Sequence, residues 1–482
     1  MSSSSNSDPS TVAVVGAGLV GSLNAIYFAQ RGWKVALFEL RPDMRLEENK
    51  KNLRGKSINL ALSERGLSAL RATNLGLEET ILNAGVPMRA RMVHIGKEGK
   101  QMSQPYSVHG EHINAVDRAR LNELLLDAAE KMPNVSVHFE HQLKTIDFDQ
   151  GKLDFNHRGS TSTYHADLIV GADGAYSRTR SQMMRRMRMN YAQEYIDTGY
   201  CELSMPPVVG KDGKPDFALD PNHLHIWPRH TFMLIALPNP DRTFTCTLFM
   251  PFGMFETINT EDKLMAFFRE NFNDAIPLIG EDRLKRDYFS NPRGSLISIK
   301  ASPHNLNGNA VMIGDAAHAM VPFYGQGMNC GFQDVQVLHE ILDKHGINPN
   351  SSRDKVTEAL DEYSRVRVKD AHAICDLAMY NHYEMRSAVT SMRFLARKKL
   401  EGLVHLCFPR LIIPLYTMVS FSTLPYSKAI ERWHRQTFWL NVVMGSVTVA
   451  ATGAVVAATA VGLRRSRMNC KDLVDFVKSI RM

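Results

Sequence analysis

Val12-Ala-Val-Val-Gly-Ala-Gly-Leu-Val-Gly21 is the stretch that decides the fold. Apolar strand formers run straight into glycines spaced G-x-G-x-x-G, and an apolar segment suited to a helix continues to about Gln30. In such a turn the missing Cβ atoms let backbone amides approach an anion at the helix N-terminus. Lys34–Glu39 reads as a second strand, which makes the opening a βαβ unit. Glu39 lies about twenty residues past the glycines, placed to accept hydrogen bonds from ribose hydroxyls. Gly16, Gly18, Gly21 and Glu39 therefore point to a dinucleotide. The plain alternative is a turn that merely packs a helix on a sheet.

Further along, Asp167-Leu-Ile-Val-Gly-Ala-Asp-Gly-Ala-Tyr-Ser177, with Arg180 after it, is an apolar strand entering an acidic glycine turn. Gly314-Asp-Ala-Ala-His318 follows another apolar strand at Ala310–Ile313. Pro322 through Gly325-Gln-Gly-Met-Asn329 then leads into an amphipathic helix ending near Leu342. Between these motifs, Glu64–Ala72 begins a helix. Arg118–Lys131 is an amphipathic helix with Leu121, Leu124, Leu125 and Ala128 on one face. Val135–Glu140, Leu143–Phe148 and Lys152–Asn156 read as a meander. From about Tyr191 the pattern turns to period two: Thr231–Leu237 and Thr243–Phe249, joined by Pro238–Arg242, are antiparallel strands fit to wall a pocket. Beyond Ser351 the chain is mostly helical.

The 482 residues allow several cores, and 44% apolar with 22% charged residues is ordinary globular composition. The net charge of +7 is spread along the chain apart from Arg178–Arg188 and a C-terminal cluster, which argues against nucleic acid. Six scattered cysteines without a C-x-x-C pair argue against a zinc site and against a disulfide framework, and fit a reducing compartment. Met1–Ser10 is a polar lead-in with no signal-peptide run. Phe438–Leu463 holds 26 residues without a charge, roughly 39 Å as helix against about 30 Å of bilayer core. Arg432 and Arg435 precede the run, and Arg464, Arg465 and Arg467 follow it, as suits headgroups on both sides. A membrane anchor is expected; a buried core helix is the alternative.

In combination these motifs resemble the flavoprotein aromatic hydroxylases of the para-hydroxybenzoate hydroxylase class, up to about residue 430. The expected fold is α/β: a Rossmann-type FAD-binding domain (11–190 and 296–345) interleaved with an antiparallel-sheet substrate domain (191–295). A helical region (346–437) completes the pocket, followed by a transmembrane helix (438–463) and a basic tail (464–482). The resemblance implies FAD bound by Gly16, Gly18, Val20, Gly21, Glu39, Arg41, Ala61, Arg118, Leu143, Asp173, Asp315, Met328 and Asn329. Asp315 would hold the ribityl chain. The amides around Met328 and Asn329 would face the pyrimidine end, where reduced flavin is negative and a helix N-terminus stabilises it. His318 has two readings, general base or structural cap of its turn. With a single dinucleotide fingerprint, NADPH is expected to dock transiently as co-substrate. The Arg178–Arg188 run either attracts its phosphates or is a solvated face.

Gly55-Lys-Ser-Ile-Asn-Leu-Ala-Leu-Ser63, Pro87-Met-Arg-Ala-Arg-Met92, His223-Leu-His-Ile-Trp-Pro-Arg229 and Ile413-Pro-Leu-Tyr-Thr-Met418 resemble the branch of that family that acts on L-kynurenine. The resemblance implies that Arg91 and Tyr106 bind the amino-acid carboxylate, with Asn381 and Tyr416 in support. A guanidinium grips a carboxylate at two points and a tyrosine adds a donor. Asn381, Glu384 and Met385 share one helical face by spacing. Read without the family, Arg91 could pair with any acid and Tyr416 could be core. The implied reaction is ring hydroxylation by NADPH, FAD and O₂ through a flavin hydroperoxide, at the mitochondrial outer membrane with the catalytic part facing the cytosol. No side chain need form a covalent bond, and the chain has neither G-x-S-x-G nor H-E-x-x-H. Rival readings are a hydroxylase or epoxidase of another aromatic or lipid substrate, and a non-catalytic flavin-binding membrane scaffold.

Overall fold

Alternation along the first strand sets the architecture. In the computed structural model, which describes residues 10–50, 60–97, 99–386, 392–409 and 411–479, the strand Thr11–Val15 is buried on both faces. Val12 and Val14 pack with Leu23 and Ile26, Leu121 and Leu125, and Phe332 and Val335, the inward sides of three helices at Leu19–Gln30, Arg118–Glu130 and Gly327–Lys344. Ala13 and Val15 pack on the opposite face with Phe38, Leu143, Phe155 and Met312. Burial on both faces is what a covered parallel sheet demands. The sheet runs in the order 305–306, 310–312, 168–171, 11–15, 34–38, 135–138. Its neighbours are parallel except the edge pair Asn305–Leu306 with Ala310–Met312.

Two expectations shift here. Val135–His138 extends the parallel sheet beside Lys34–Phe38 rather than opening a meander, because Val135 and Val137 pack toward the helical core. The meander is His141–Asp147, Lys152–His157 and Ser160–His165, and it lays Leu143 and Phe155 over the sheet's other face. The Arg118–Glu130 helix is capped by Asp117, whose carboxylate accepts from the Arg120 N–H at 2.7 Å. It buries Leu121, Leu125, Leu126 and Ala129, so its stripe is turned from the expected one, with Leu124 and Ala128 at the edge.

A second sheet of seven strands runs in the order 294–302, 190–205, 244–251, 232–238, 223–229, 90–95, 100–105. The last two strands come from the stretch assigned above to the FAD-binding part. Ala90–Ile95 pairs in parallel with His223–Arg229, which stitches the two regions together. Leu234, Ala236, Cys246 and Leu248 pack against Phe268 and Leu284 of the helices Glu261–Asn271 and Glu281–Ser290. The alternate residues Ile235, Leu237 and Phe249 face a cavity. The expected pocket wall is therefore one face of this sheet.

The chain divides into two units, Met1–Ser427 and Lys428–Met482. In the first, the helices Arg353–Arg386, Met392–Cys407 and Leu415–Ser420 follow the sheets. The second is helical, within Tyr426–Ser479, and carries the uncharged run 438–463. Among the described residues no helix is long and apolar enough to cross a membrane. Side chains at 443–445, 447–451, 455 and 462–463, like the basic tail, lie outside the description, as do the lead-in residues 1–9 and Gly55–Asn59.

Candidate active site

A cavity of about 790 Å³ opens within the first unit, within the usual range for cofactor and substrate sites. Gly16, Gly18, Val20, Glu39, Arg41, Ala61, Arg118, Leu143, Asp173, Asp315 and Met328 line it; Gly21 and Asn329 stand behind its surface. The glycines divide by task. Gly16 has φ +102, and a Cβ there would stand 2.4 Å from the Ala172 carbonyl oxygen. A Cβ on Gly21 would meet the Gly16 carbonyl oxygen at 1.9 Å. These two allow strand and helix to touch. A Cβ on Gly18 would find nothing within 4 Å, and Gly18 caps the Leu19–Gln30 helix without a side-chain bond. Free amides at a helix start beside open space fit a pyrophosphate.

The surrounding side chains are held rigidly. The Ala17 N–H donates to Glu39 Oε2 at 3.0 Å and the Arg41 N–H to Oε1 at 3.1 Å, fixing the carboxylate at the strand end. Asp173 accepts from the Ser177 hydroxyl at 2.5 Å and the Thr179 N–H at 2.9 Å, which closes its turn. Arg180 is buried and donates to the carbonyls of Ala316 and Ala175, each at 2.7 Å, so this turn is tied to the one bearing Asp315. Asp315 faces the cavity. Burial raises its pKa, opposed by Arg118 and His318. Arg118 also lines the cavity and makes no ion pair among the described residues. Asn329 donates to the carbonyls of Ala61 and Gly325 at 2.8 Å and accepts from the Ser63 N–H at 2.9 Å. It locks the start of the Gly327–Lys344 helix, whose first residues line the cavity and whose cap, Gln326, makes no side-chain bond to them. The residues present thus fit FAD, with donors for phosphate and for a reduced ring and fixed acceptors for ribose.

His318 takes the structural role. Its Nε2–H donates to Asp334 at 2.5 Å in a fully buried setting, away from the cavity lining. Burial disfavours its charge, yet Asp334 and Cys330 hold its pKa well above the usual value. His318, Cys330 and Asp334 lie close enough to suggest a metal set. However, the Arg367 guanidinium sits 3.3 Å from Cys330 Sγ and already pairs with Asp334, so a cation occupies that role.

At the other end of the cavity, Arg91, Tyr106, Tyr416 and Met385 come together. Arg91 is buried on Ala90–Ile95, and its Nη1–H donates to Glu384 Oε1 at 2.9 Å. Among the described residues its Nε and the Tyr106 hydroxyl, both buried, have no hydrogen-bond partner. The guanidinium lies 5.1 Å from the Tyr416 ring and 5.7 Å from the Tyr106 ring. Tyr416 is nearly parallel to Tyr106 (4.9 Å, 10°) and to Tyr324 (5.8 Å, 12°), a three-ring slab in reach of a planar ligand. Asn381 stays out of the cavity: it donates to the Phe323 carbonyl at 2.7 Å and so holds the loop that carries Tyr324. Glu384 was expected only as a neighbour of Asn381 on one helical face, and Tyr324 was outside the expected set. Their signals were the helical spacing from Asn381 and a place inside the Pro322–Asn329 motif. The Arg178–Arg188 run splits, with Arg178 at the cavity, Arg180 structural, and Arg185, Arg186 and Arg188 exposed.

The FAD binding domain family matches residues 9–378. Kynurenine 3-monooxygenase of Sus scrofa is 44% identical over 472 residues, covering 96% of each chain. Kynurenine 3-monooxygenase of Yarrowia lipolytica is 47% identical, covering 88% of this chain and 92% of its own. Among solved structures, 2-methyl-3-hydroxypyridine-5-carboxylic acid oxygenase superposes with a TM-score of 0.62 at 19% identity, over 80% of this chain and 95% of its own, a likeness of fold.

Proposed function

Because the chain belongs to the kynurenine 3-monooxygenase family of FAD-binding proteins, we propose that it hydroxylates L-kynurenine to 3-hydroxykynurenine, with FAD as cofactor and NADPH and O₂ as co-substrates. The observation that carries this is the pairing of buried Arg91 with half-buried Glu384 beside two donors unused among the described residues. Arg91 Nε–H and the Tyr106 hydroxyl are free to hold a carboxylate, and Glu384 can accept from an α-ammonium. Together they read the two ends of an amino acid. The tyrosine slab gives the aromatic part of the substrate a flat wall. Bound FAD supplies the electron-transfer and oxygen-activating chemistry. Gly18 and the helix starts would hold its phosphates and pyrimidine end, with Glu39 and Asp315 on its hydroxyls. The test is NADPH oxidation with product analysis over a panel of aromatic acids: L-kynurenine should stimulate it and yield 3-hydroxykynurenine. Acid precipitation should release the flavin as free FAD. A lipid hydroxylase or a non-catalytic scaffold would show no such stimulation.

We further propose that 438–463 anchors the chain in the mitochondrial outer membrane with the catalytic part facing the cytosol. Its support is the uncharged run and the arginines flanking it. Deleting the residues after Gln436 should release the protein from carbonate-washed membranes; retention would count against the anchor.

A further inference from the structure

We propose that Lys398 is a positioning residue for the amino-acid clamp, holding Glu384 as its second cation so that a substrate carboxylate can take Arg91. This rests on the function proposed above. Glu384 occupies one edge of the Arg91 guanidinium, so an incoming carboxylate competes with it. A carboxylate drawn away from its partner inside a protein needs another cation, or its desolvation opposes the exchange.

Lys398 stands where that cation is required. Strand register places Gln104 directly across from Arg91, and Lys398 Nζ approaches Gln104 Oε1 at 3.5 Å. The Met392–Cys407 helix thus delivers an ammonium to the edge of the same cross-strand pair, within the field of Glu384. Glu401, the other acid near Lys398, is matched by Arg397 at 2.8 Å. Among the described residues, Arg91 and Lys398 then both act on one carboxylate, Glu384. The surplus positive charge favours a carboxylate ligand, and Glu384 keeps a partner as it turns toward the ligand's ammonium.

Charge on Lys398 is therefore the controlling variable. Burial first, then Arg91, pushes its ammonium down to about 8, with Glu384 and Glu401 opposing. Arg91 on its strand, Glu384 on Arg353–Arg386 and Glu401 on its own helix act on its charge; around them Tyr106 and Tyr416 lie over Arg91, Tyr380 is in the field of Glu384, and Arg397 pairs with Glu401. Arg91 and the three tyrosines are all shifted upward. None of those four changes charge near pH 8. Lys398 is charged below that pH and neutral above it, so substrate affinity falls as pH rises.

The test is KM and kcat of the full-length holoenzyme from about pH 6.5 to 9.5 for wild type, Lys398→Arg and Lys398→Met. The substrates are L-kynurenine and 4-(2-aminophenyl)-4-oxobutanoate, which lacks the α-amino group and so removes the substrate's own ammonium titration. In wild type, KM for both should rise about three- to tenfold through pH 8, with a smaller change in kcat. Lys398→Arg keeps its charge and should flatten the rise; Lys398→Met should start from a raised KM and stay flat. A flat wild-type profile, or the same rise in Lys398→Arg, overturns the proposal. The wild-type and arginine profiles decide even where the methionine variant fails to hold FAD. Absence of kynurenine-dependent turnover at neutral pH would instead fall on the proposed function.

Discussion

Arg367 and Asp334 face each other in the protein interior, the guanidinium donating Nε–H and Nη2–H to the same carboxylate oxygen at 2.9 and 2.7 Å. The other oxygen accepts from the Gly314 N–H at 2.8 Å and His318 Nε2–H at 2.5 Å. One side chain thereby joins the Arg353–Arg386 helix, the Gly327–Lys344 helix and the turn that presents Asp315. Despite burial, which opposes both charges, each partner's pKa is shifted toward its charged form.

Asp334→Asn should therefore be severe. It leaves His318 buried without a negative partner and strips Arg367 of its nearer one, with only Asp370 remaining at 3.4 Å, a class of change that costs up to about 3–5 kcal/mol. Denaturant titration should show the loss, and FAD retention should fall with it because the Asp315 turn is no longer pinned. Stability equal to wild type would show that the network is not the tie described here.

The glycine turn predicts a split between folding and cofactor binding. Gly16→Ala forces a Cβ into the Ala172 carbonyl at positive φ, so the variant should lose thermal stability outright. Gly18→Ala meets open space and should fold with a near-normal melting temperature. Its FAD affinity should drop, because the methyl enters the phosphate cradle. Equal behaviour of the two variants in melting and flavin titration would contradict the assignment.

Local backbone demands explain which parts of the fold were legible. A strand, a glycine turn and a helix are written in adjacent residues, and so Val12–Gly21, Leu168–Gly171 and Ala310–Asn329 read correctly in sequence. The pairing of Ala90–Ile95 with His223–Arg229 joins segments far apart in the chain, and no local periodicity encodes it. For the same reason Arg91 could be singled out but its partner could not: Glu384 is 293 residues away, on a helix whose placement depends on the whole fold. The loop role of Asn381 likewise emerges only once Phe323 is seen beside it.

A buried histidine chain predicts an acid limb in stability. His94 Nδ1 lies 2.9 Å from Asp274 Oδ2, His94 Nε2 lies 3.0 Å from His225 Nδ1, and His225 Nε2 lies 2.9 Å from the Asp220 carbonyl. Burial, chiefly, with His94 and His223 adding, pushes the pKa of His225 down from the usual histidine value to about 4. The unfolded chain then binds the extra proton first, so stability is full above about pH 6.5 and declines as pH falls toward 4. Asp274, lowered by His94 and Trp227 against burial, acts in the same direction below the usual carboxylate range. Replacing His225 with asparagine should flatten the stability–pH slope between about 6.5 and 4. An unchanged slope would remove His225 as its source.

Arg91 and Tyr106 carry the sharpest expectation. Arg91→Lys keeps the charge but removes the fork, and Nε–H, the donor left without a partner, disappears. Loss of a charge-assisted bond is worth about 1.5–3 kcal/mol, or roughly ten- to a hundredfold in KM for L-kynurenine. Tyr106→Phe loses a neutral donor and should cost less, about 0.5–1.5 kcal/mol. The phenylalanine ring preserves the stack on Tyr416, so the slab should survive. FAD content should match wild type in both, because neither side chain belongs to the proposed phosphate or ribose contacts. Poorly seated substrate should also raise hydrogen peroxide released per NADPH consumed, since water then reaches the reacting flavin. Should Arg91→Lys bind kynurenine normally, or lose flavin instead, the carboxylate has another partner and the clamp is wrongly placed.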